Sequence, residues 1–361
     1  MISSQGGREA AINQAAAAAR GDFLLLLADN VAVLDADWLA GLLNHALRPE
    51  VGVVGGTLVS AEGKLRHAGL LLGLRGPAGR AFYGRSVESP GYMHRLLVDQ
   101  NYSAVSHECL MISRELFVKL GGFDEGELGR AWSDVDLCLK ARDAGYLTVW
   151  TPHVRLLQDD ARWPASTPEQ DDLIYARWLG VLARDPAYNP GFSLQRLGGF
   201  KLSDVRLSWR PMGSWKPIPR ILVHPADLYG CGHYRIIYPF QALEEAGKAE
   251  GSVSVGLMHP ADLERYEPDA VILQRQIGDE RLEAMRRLKA FSRAFKVYEL
   301  DDYLPNLPVK SVHREHMPKD IVRSLRRGMS FVDRFVVTTD TLAEAFHGYH
   351  PDIRVVPNRL P

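Results

Sequence analysis

The second half of the chain alternates short apolar segments with helical patterns, and this alternation is the strongest constraint on its fold. The apolar segments are four to six residues long and lie at 220–224, 253–258, 270–274, 295–300, 334–338 and 353–356. Strands that alternate with helices are typical of a parallel, doubly wound sheet. We therefore expect an independent α/β unit that begins near residue 219.

The first half has an α/β pattern of its own. An alanine-rich helix is predicted at 8–20 and a strand at 51–59, and a buried strand at 23–27 runs directly into Asp29 and Asn30. Open α/β sheets bind ligands at the C-terminal ends of their strands, and Mg²⁺ or Mn²⁺ prefers oxygen ligands of this kind. A turn that merely ends a strand is an equally good interpretation of this segment alone.

Composition limits the classes of function. The 361 residues are 46% hydrophobic, which is enough for two domains with separate cores. The net charge is -1, so the chain has no overall excess of positive charge that would attract nucleic acid. Cys109, Cys138 and Cys231 form no CxxC pair, which favours a reducing compartment. The sequence has no apolar run of membrane-span length and no signal-peptide pattern, so we expect a cytoplasmic chain.

Residues 121–146 carry the most specific motif, GGFDEGELGRAWSDVDLCLKARDAGY. This segment resembles the GGFDE and D-x-D-L-C-L block of family 2, A-type glycosyltransferases. The resemblance implies that Asp134 is the general base, which removes a proton from the acceptor hydroxyl, and that Asp136 supports or orients the site. The alternative is helix capping, with Ser133 as the N-cap and Asp136 at the third helical position.

Two further segments resemble the same family, KLRHAGLLLG at 64–73 and NYSAVSHECLMISRELF at 101–117. The resemblance implies that Asp29 and Asn30 hold Mg²⁺ or Mn²⁺. It also implies that the donor and acceptor are bound by His67, His107, Glu108 and Trp132. Family members commonly have small residues at the positions of His107 and Glu108, and a histidine near Gln158. A histidine considered alone is more often structural than functional.

The second unit resembles a different family. Residues 219–247, PRILVHPADLYGCGHYRIIYPFQALEEAG, are similar to the first strand, glycine-bearing loop and first helix of B-type glycosyltransferases, and 297–308 and 334–358 continue the likeness. It implies that a nucleotide sugar or acceptor is bound by Gly230, Gly232, His233, Arg235, Asp301 and Asp302. A simple turn at the glycines and a solvated loop at the aspartates are the alternatives.

Together these patterns predict an α/β protein of two parts. An incomplete GT-A domain occupies 1–165, a helix and connector occupy 166–218, and a Rossmann-like GT-B N-terminal domain occupies 219–361. The resemblance implies that strands normally present before the first helix, and the second half of the B-type enzyme, are missing. We therefore expect a fragment that is truncated at both ends.

The predicted function is inverting transfer of a sugar from a nucleotide-sugar donor to a glycan or lipid-linked acceptor, of the kind used in cell-surface polysaccharide or O-antigen biosynthesis. No nucleic-acid partner is expected, and membrane association would be peripheral, through the acceptor only. The alternative is a catalytically degenerate module that binds a glycan or a partner protein. Asn30 and Gln158, where the family has other residues, favour this alternative.

Overall fold

A computed structural model describes residues 7–126, 128–158, 165–204, 206, 216–306 and 320–359, with Arg130 described by its backbone alone. Contacts divide the chain into two units, Met1–Ser203 and Asp204–Pro361. In the described parts of the chain, every helix is too short or too polar to cross a membrane.

The first unit is built on a mixed sheet. Its strands, with one separate hairpin, are β1 (Phe23–Leu27), β2 (Ala32–Val33), β3 (Val51–Val59), β4 (Leu65–His67), β5 (Leu70–Leu72), β6 (Ala78–Arg80), β7 (Gln100–Tyr102), β8 (Cys109–Ser113) and β9 (Leu147–Leu157). The order is β1-β8-β3-β9-β2, with β4 on β3, β7 on β9, and β5 and β6 forming the hairpin. The pair β3 and β9 is parallel, and the other pairs are antiparallel.

Helices cover this sheet at α1 (Arg8–Ala18), α2 (Trp38–Ala46), α3 (Arg114–Lys119), α4 (Gly129–Asp143) and α5 (Pro168–Ala183). The Thr167 side chain caps α5 and forms a capping box with Gln170. Core side chains between α2 and the sheet include Leu42, Leu58 and Leu156, which are fully buried. The predicted strands at 23–27 and 51–59 are confirmed by β1 and β3.

Helix α4 has its N-cap at Leu128, five residues before the N-cap predicted at Ser133. Ser133 is inside the helix rather than at its N-cap, and its hydroxyl donates to the carbonyl of Gly129 at 2.6 Å. A serine in a helix interior can form this bond to the preceding turn, so its presence does not mark the first residue. The capping interpretation of Ser133 and Asp136 is therefore wrong, and Asp134 lies in the second turn of α4.

The segment after α5 packs on the first unit. The Asp185 carboxylate accepts hydrogen bonds from the Leu72 backbone nitrogen at 2.8 Å and from the Ser103 hydroxyl at 2.5 Å. Phe200 stacks on Phe82 with ring centroids 4.3 Å apart. The first unit thus continues to Ser203. Residues 207–215 of the predicted connector lie outside the described residues.

The second unit has a six-stranded sheet of order β11-β10-β12-β13-β14-β15 in which every pair is parallel. The strands are β10 (Arg220–His224), β11 (Glu250–Val253), β12 (Ala270–Gln274), β13 (Phe295–Leu300), β14 (Arg334–Val337) and β15 (Ile353–Val355). The helices between them are α6 (Gly230–Gly232), a π-helical turn (His233–Ile237), α7 (Tyr238–Glu245), α8 (Pro260–Tyr266), α9 (Asp279–Phe291), α10 (Ile321–Met329) and α11 (Asp340–Ala345). The alternation therefore predicts a parallel sheet correctly.

The two faces of this sheet have separate cores, since neighbouring residues of a strand point to opposite faces. Leu222 and Tyr298 belong to the larger core, whereas Val223 packs with Ile236 and Phe240. The prediction from the sequence misplaces one strand of this six-stranded sheet. The predicted strand at 253–258 lies instead at Glu250–Val253, because the chain enters the sheet directly after the turn that ends α7.

Candidate functional site

The C-terminal end of β1 lies beside the segment that precedes β8. The two strands pair in antiparallel register, with Leu27 opposite Cys109, and the backbone nitrogen of Ala28 donates to the carbonyl of Glu108 at 3.1 Å. This arrangement brings Asp29 and Asn30, the polar residues that follow β1, next to the Ser106-His107-Glu108 turn. The two segments are far apart in sequence.

Gln158 connects the two segments. Its Nε2 donates to Oδ1 of Asn30 at 3.2 Å and to Oε1 of Glu108 at 3.1 Å. Gln158 is buried, and it directly follows β9, which is an interior strand of the sheet. The structure therefore places Asn30, Gln158 and Glu108 in one hydrogen-bonded group. The group lies at the edge of the sheet that is formed by the C-terminal ends of β1 and β9.

A buried ion pair holds Glu108. Its Oε2 lies 2.7 Å from Nη2 of Arg80 and accepts the Ser106 hydroxyl at 2.8 Å. Burial alone would raise the pKa of Glu108, but Arg80 and the hydrogen bonds hold it below its usual value. Sequence reasoning missed Arg80. The signal for it is a charged residue at the end of the short apolar strand β6.

His107 and Asp134 form the next contact. Oδ2 of Asp134 lies 2.9 Å from Nδ1 of His107 and accepts the His107 backbone N–H at 3.1 Å, while Oδ1 accepts the Val135 N–H at 2.8 Å. Burial opposes ionisation of Asp134, yet these hydrogen bonds hold its pKa below the ordinary value. An ionised carboxylate only accepts, so Nδ1 of His107 carries the proton. We call the residues Asn30, Arg80, Ser106, His107, Glu108, Asp134 and Gln158 the sheet-edge network.

His67 borders the sheet-edge network. Its Nε2 accepts the Ser106 backbone N–H at 3.4 Å. Burial, and then the charge of Arg80, lower the pKa of His67 to about 4, so this imidazole is neutral near pH 7. His67 and His107 are both almost fully buried. The structure thus brings His67, His107 and Glu108 together, with Asp134 beside them.

Asp136 contacts a different part of the unit. Its Oδ1 accepts from Arg177 at 2.8 Å and from Trp178 at 2.9 Å, and its Oδ2 lies 2.7 Å from the Lys140 ammonium. Trp132 similarly donates to Asp171 at 3.0 Å. Arg177, Trp178 and Asp171 all belong to α5, so these contacts of Asp136 and Trp132 tie α4 to α5.

The side chains of Asp29 and Asn30 at the end of β1 do not form a complete metal site by themselves. Asp29 supplies one exposed carboxylate, and the Asn30 oxygen accepts from Gln158. Over the described ranges, no group of three or more His, Cys, Asp or Glu residues is placed to hold a metal ion. Glu108, which Gln158 connects to Asn30, is neutralised by Arg80. Magnesium and manganese sites normally need more oxygen ligands from protein, water or phosphate.

In the second unit, two backbone N–H groups of the glycine-bearing loop after β10 point at the side chain of Asp227. The Asp227 carboxylate accepts from the backbone nitrogens of Tyr229 at 2.9 Å and Gly232 at 3.3 Å, and it pairs with Arg275 at 2.9 Å. The backbone N–H of Gly232, a residue predicted to bind a nucleotide sugar or acceptor, is therefore directed at a carboxylate of the protein. The ring of His233 packs 5.1 Å from Tyr238.

Arg235 is also paired within the unit. Its Nε donates to Glu299 at 2.7 Å, and its Nη1 donates to the carbonyl of Val356 at 2.8 Å. Burial raises the pKa of Glu299 to about 7 in spite of this pair. Asp302 lies 3.8 Å from Arg275, and the Asp301 carbonyl accepts from Thr338 at 3.3 Å. Sequence reasoning missed Glu299, a charged residue in the otherwise apolar end of β13.

The sheet-edge network lies mostly in a segment of known family. Residues 2–121 match the glycosyl transferase family 2. This part of the chain is therefore a glycosyltransferase family 2 domain, and it contains the end of β1, His67, Arg80 and the Ser106-His107-Glu108 turn.

Two curated relatives are similar to about half of the chain. The uncharacterized protein y4gI of Sinorhizobium fredii is 43% identical over 203 residues, which are 54% of this chain and 22% of that protein. The O-antigen biosynthesis protein RfbC of Myxococcus xanthus is 38% identical over 191 residues, which are 50% of this chain and 15% of that protein. The chain thus spans less than a quarter of the length of either relative.

Among solved structures, the mannosyltransferase PcManGT from Pyrobaculum calidifontis, in complex with GDP-Man and Mn²⁺, is 16% identical. The likeness covers 49% of each chain with a TM-score of 0.30.

Proposed function

We propose that the first unit transfers a sugar from a nucleotide-sugar donor to a hydroxyl of a glycan or lipid-linked acceptor, with inversion at the anomeric carbon. The observation that carries this proposal is the sheet-edge network. It runs from Asn30 at the end of β1, through Gln158 and Glu108, to the turn that holds His107 against Asp134. Strand-end polar groups and a proton acceptor thereby share one edge of the sheet.

Inverting transfer needs one group that removes the acceptor proton while the acceptor oxygen attacks. The His107–Asp134 pair is suited to this task, because the buried Asp134 carboxylate stabilises the imidazolium that forms when His107 takes up a proton. The Arg80–Glu108 pair beside it is internally neutral and fixes the turn that carries His107. The first unit therefore has a proton acceptor on a rigid support.

The likeness to an O-antigen biosynthesis protein supports a cell-surface glycan as the acceptor class. We propose that the second unit, with its parallel six-stranded sheet, is the N-terminal domain of a B-type glycosyltransferase. In that proposal Gly230, Gly232, His233, Arg235, Asp301 and Asp302 border its binding cleft. The Asp227 and Glu299 carboxylates would have to release the loop N–H groups and Arg235 before these could meet a diphosphate.

The test is turnover by the purified chain. It is incubated with UDP-, GDP- and dTDP-sugars and with a lipid-linked or reducing-end-labelled glycan, and release of nucleoside diphosphate is measured together with mass of the glycan product. We expect release that depends on the acceptor for one nucleotide sugar, and a product of inverted anomeric configuration by NMR. Absence of transfer with every pair, while a glycan still binds, would contradict the enzyme proposal.

A second candidate is a glycan-binding module without turnover. It is favoured by one observation, the hydrogen bond by which Gln158 engages Asn30 at the end of β1. Under this proposal calorimetry would detect glycan binding that is unaffected by nucleotides or Mn²⁺. A transferase would instead bind a nucleoside diphosphate, and its affinity for the acceptor would respond to that ligand.

A further inference from the structure

We propose that the second unit binds a single-chain anionic amphiphile, a hydrocarbon chain with a carboxylate or phosphate head, in a cavity on one face of its parallel sheet. The hydrocarbon chain lies on apolar strand residues, and the head meets Arg235 and Glu299. The proposal concerns the second unit alone and does not depend on sugar transfer by the first unit.

The first observation is that one face of this sheet is only partly covered. Helices α8, α9 and α10 contribute Leu263, Met285 and Leu325 to the larger core on the opposite face. Of the helical segments that the structure describes, the π-helical turn and α7 pack on the partly covered face, through Ile236 and Phe240. Strands of a parallel sheet are normally buried on both faces, so an apolar part that is left open indicates a binding surface.

The open part of this face is a cavity of about 480 Å³, a size within the range of small-molecule sites, about 300–1,000 Å³. Three apolar side chains at its side are well exposed, Tyr234 at 39%, Leu243 at 38% and Val356 at 49%. A contiguous exposed apolar patch of this kind marks a binding site. The floor is formed by one apolar side chain from each of five strands, Ile221, Ile272, Val297, Val336 and Val355.

Arg235 and Glu299 form the polar part of the cavity. Their side chains are 5% and 4% exposed, and Oε1 of Glu299 accepts from Nε of Arg235 at 2.7 Å. Oε2 of Glu299 is also buried, and it has no hydrogen-bond partner among the residues that the structure describes. The nearby Gln274 amide is bonded to the main chain of Ala226 and Cys231. Buried polar atoms are nearly always paired in native proteins, so Oε2 indicates a partner supplied by a ligand.

The charges around Oε2 favour an anionic partner. Burial, opposed by Arg235 and Gln274 and supported by Asp301, raises the pKa of Glu299 to about 7. Protonated Glu299 donates a hydrogen bond to an anionic oxygen, and the charge of Arg235 then lacks its ion-pair partner. The exposed Arg359 also borders the cavity. An anionic head joined to a hydrocarbon chain therefore matches both the polar and the apolar part.

The first experiment is isothermal titration calorimetry of the full chain with octanoate, decanoate, decyl phosphate and decanol. At about pH 6 decanoate should bind about tenfold more tightly than octanoate, because each buried methylene adds about fourfold in affinity at most. Decanol has the same chain without the charge, so it should bind at least about tenfold more weakly than decanoate. The tighter of decanoate and decyl phosphate identifies the head group.

The second experiment varies the pH. The affinity for decanoate should fall about tenfold from about pH 6 to about pH 8, because the protonated fraction of Glu299 falls by about that factor. The head of decanoate stays ionised over this range, since a free carboxyl has a pKa of about 4.3. In Glu299→Gln the amide donates at every pH, so the affinity should not change with pH. The control Glu245→Gln, at an exposed position of α7, should keep the pH dependence of the parent.

The third experiment fills the cavity. Val336→Phe adds bulk to the floor and should weaken decanoate binding at least about tenfold, with little change in melting temperature. The control Val322→Phe, at an exposed position of α10, should bind as the parent does.

Three results would overturn the proposal. They are failure of decanoate to bind the folded parent chain, equal affinity for decanoate and decanol, and equal affinity of the Val336 and Val322 variants for decanoate. A parent dimer in sedimentation velocity that Val336→Arg dissociates would contradict it as well, since a second copy would then cover this face. None of these measurements uses a sugar donor, so their outcome is distinct from failure of the proposed transferase function.

Discussion

Oδ2 of Asp134 lies 2.9 Å from the ring nitrogen Nδ1 and 3.1 Å from the backbone nitrogen of the same residue, His107. One carboxylate oxygen therefore fixes both the main chain of the turn before β8 and the orientation of its imidazole. This contact joins α4 to the end of the sheet where the polar groups that follow β1 and β9 also lie.

Asp136 should contribute to stability through α5. Its buried carboxylate is paired with Lys140 and Arg177, and although burial opposes ionisation, these groups keep its pKa low. Asp136→Asn leaves them partly unpaired, so we expect a loss of about 3 kcal/mol in the free energy of unfolding. Urea denaturation followed by tryptophan fluorescence measures this loss. The control Asp143→Asn, at an exposed position of the same helix, should change stability by less than about 0.5 kcal/mol. Equal effects of the two substitutions would contradict the structural role.

The Arg80–Glu108 pair should be strongly coupled. Both side chains are buried and their charged atoms are 2.7 Å apart. A double-mutant cycle with Arg80→Met and Glu108→Gln should give a coupling energy of about 2–4 kcal/mol, because either single change leaves the other group buried and uncompensated.

The matched control cycle for this pair uses Arg155 and Glu88, whose side chains are 43% and 82% exposed and whose charged atoms are 3.9 Å apart. It should give less than about 0.5 kcal/mol of coupling. Similar coupling in the two cycles would argue against a buried ion pair at the site.

Glu299 should titrate near neutral pH in the folded second unit. Burial raises its pKa to about 7 from 4.5, so the folded state keeps the proton over a pH range in which the unfolded state has lost it. The stabilising contribution of this group is full below pH 4.5 and is lost as the pH rises through 7. Carboxyl ¹³C NMR, with Glu299→Gln to assign the signal, should show a midpoint near 7. A midpoint near 4.5 would contradict the described burial.

Nucleotide binding provides the test of a divalent cation at the end of β1. Asp29 is the exposed carboxylate there, and a cation at this position would also need oxygen ligands from a diphosphate. We expect calorimetry to show tighter binding of a nucleoside diphosphate with Mn²⁺ than without it. Asp29→Asn should remove most of this difference, whereas the control Asp35→Asn should retain it. Binding that is unaffected by Mn²⁺ in the parent chain would contradict the predicted role of Asp29.

Much of the fold could be predicted from the sequence, because apolar strands and their breaks are local signals. The strands Phe23–Leu27, Val51–Val59, Arg220–His224 and Phe295–Leu300 agree with prediction. Strand β11 was misplaced because its polar residues at the sheet edge, such as Glu250, lack an apolar signal. The start of α4 was misplaced because Ser133 bonds back to the preceding turn.

The candidate site could be predicted only in part. Motif resemblance named His107 and Asp134 separately, but their contact depends on how α4 packs against the sheet. Arg80 lies 28 positions before Glu108, and no local pattern reveals that the hairpin of β5 and β6 brings the two together. Asp136 has the same residue type and nearly the same position as Asp134, yet its contacts are with α5.

The most direct measurement compares sugar transfer by the parent chain, Asp134→Asn and Asp143→Asn. An asparagine at 134 can donate to Nδ1 of His107, which favours the wrong tautomer of the imidazole, so we expect the rate to fall at least about 100-fold. The Asp143 variant, which makes the same change at an exposed site of α4, should stay within about twofold of the parent. Transfer by Asp134→Asn at the parent rate would contradict the account of this site.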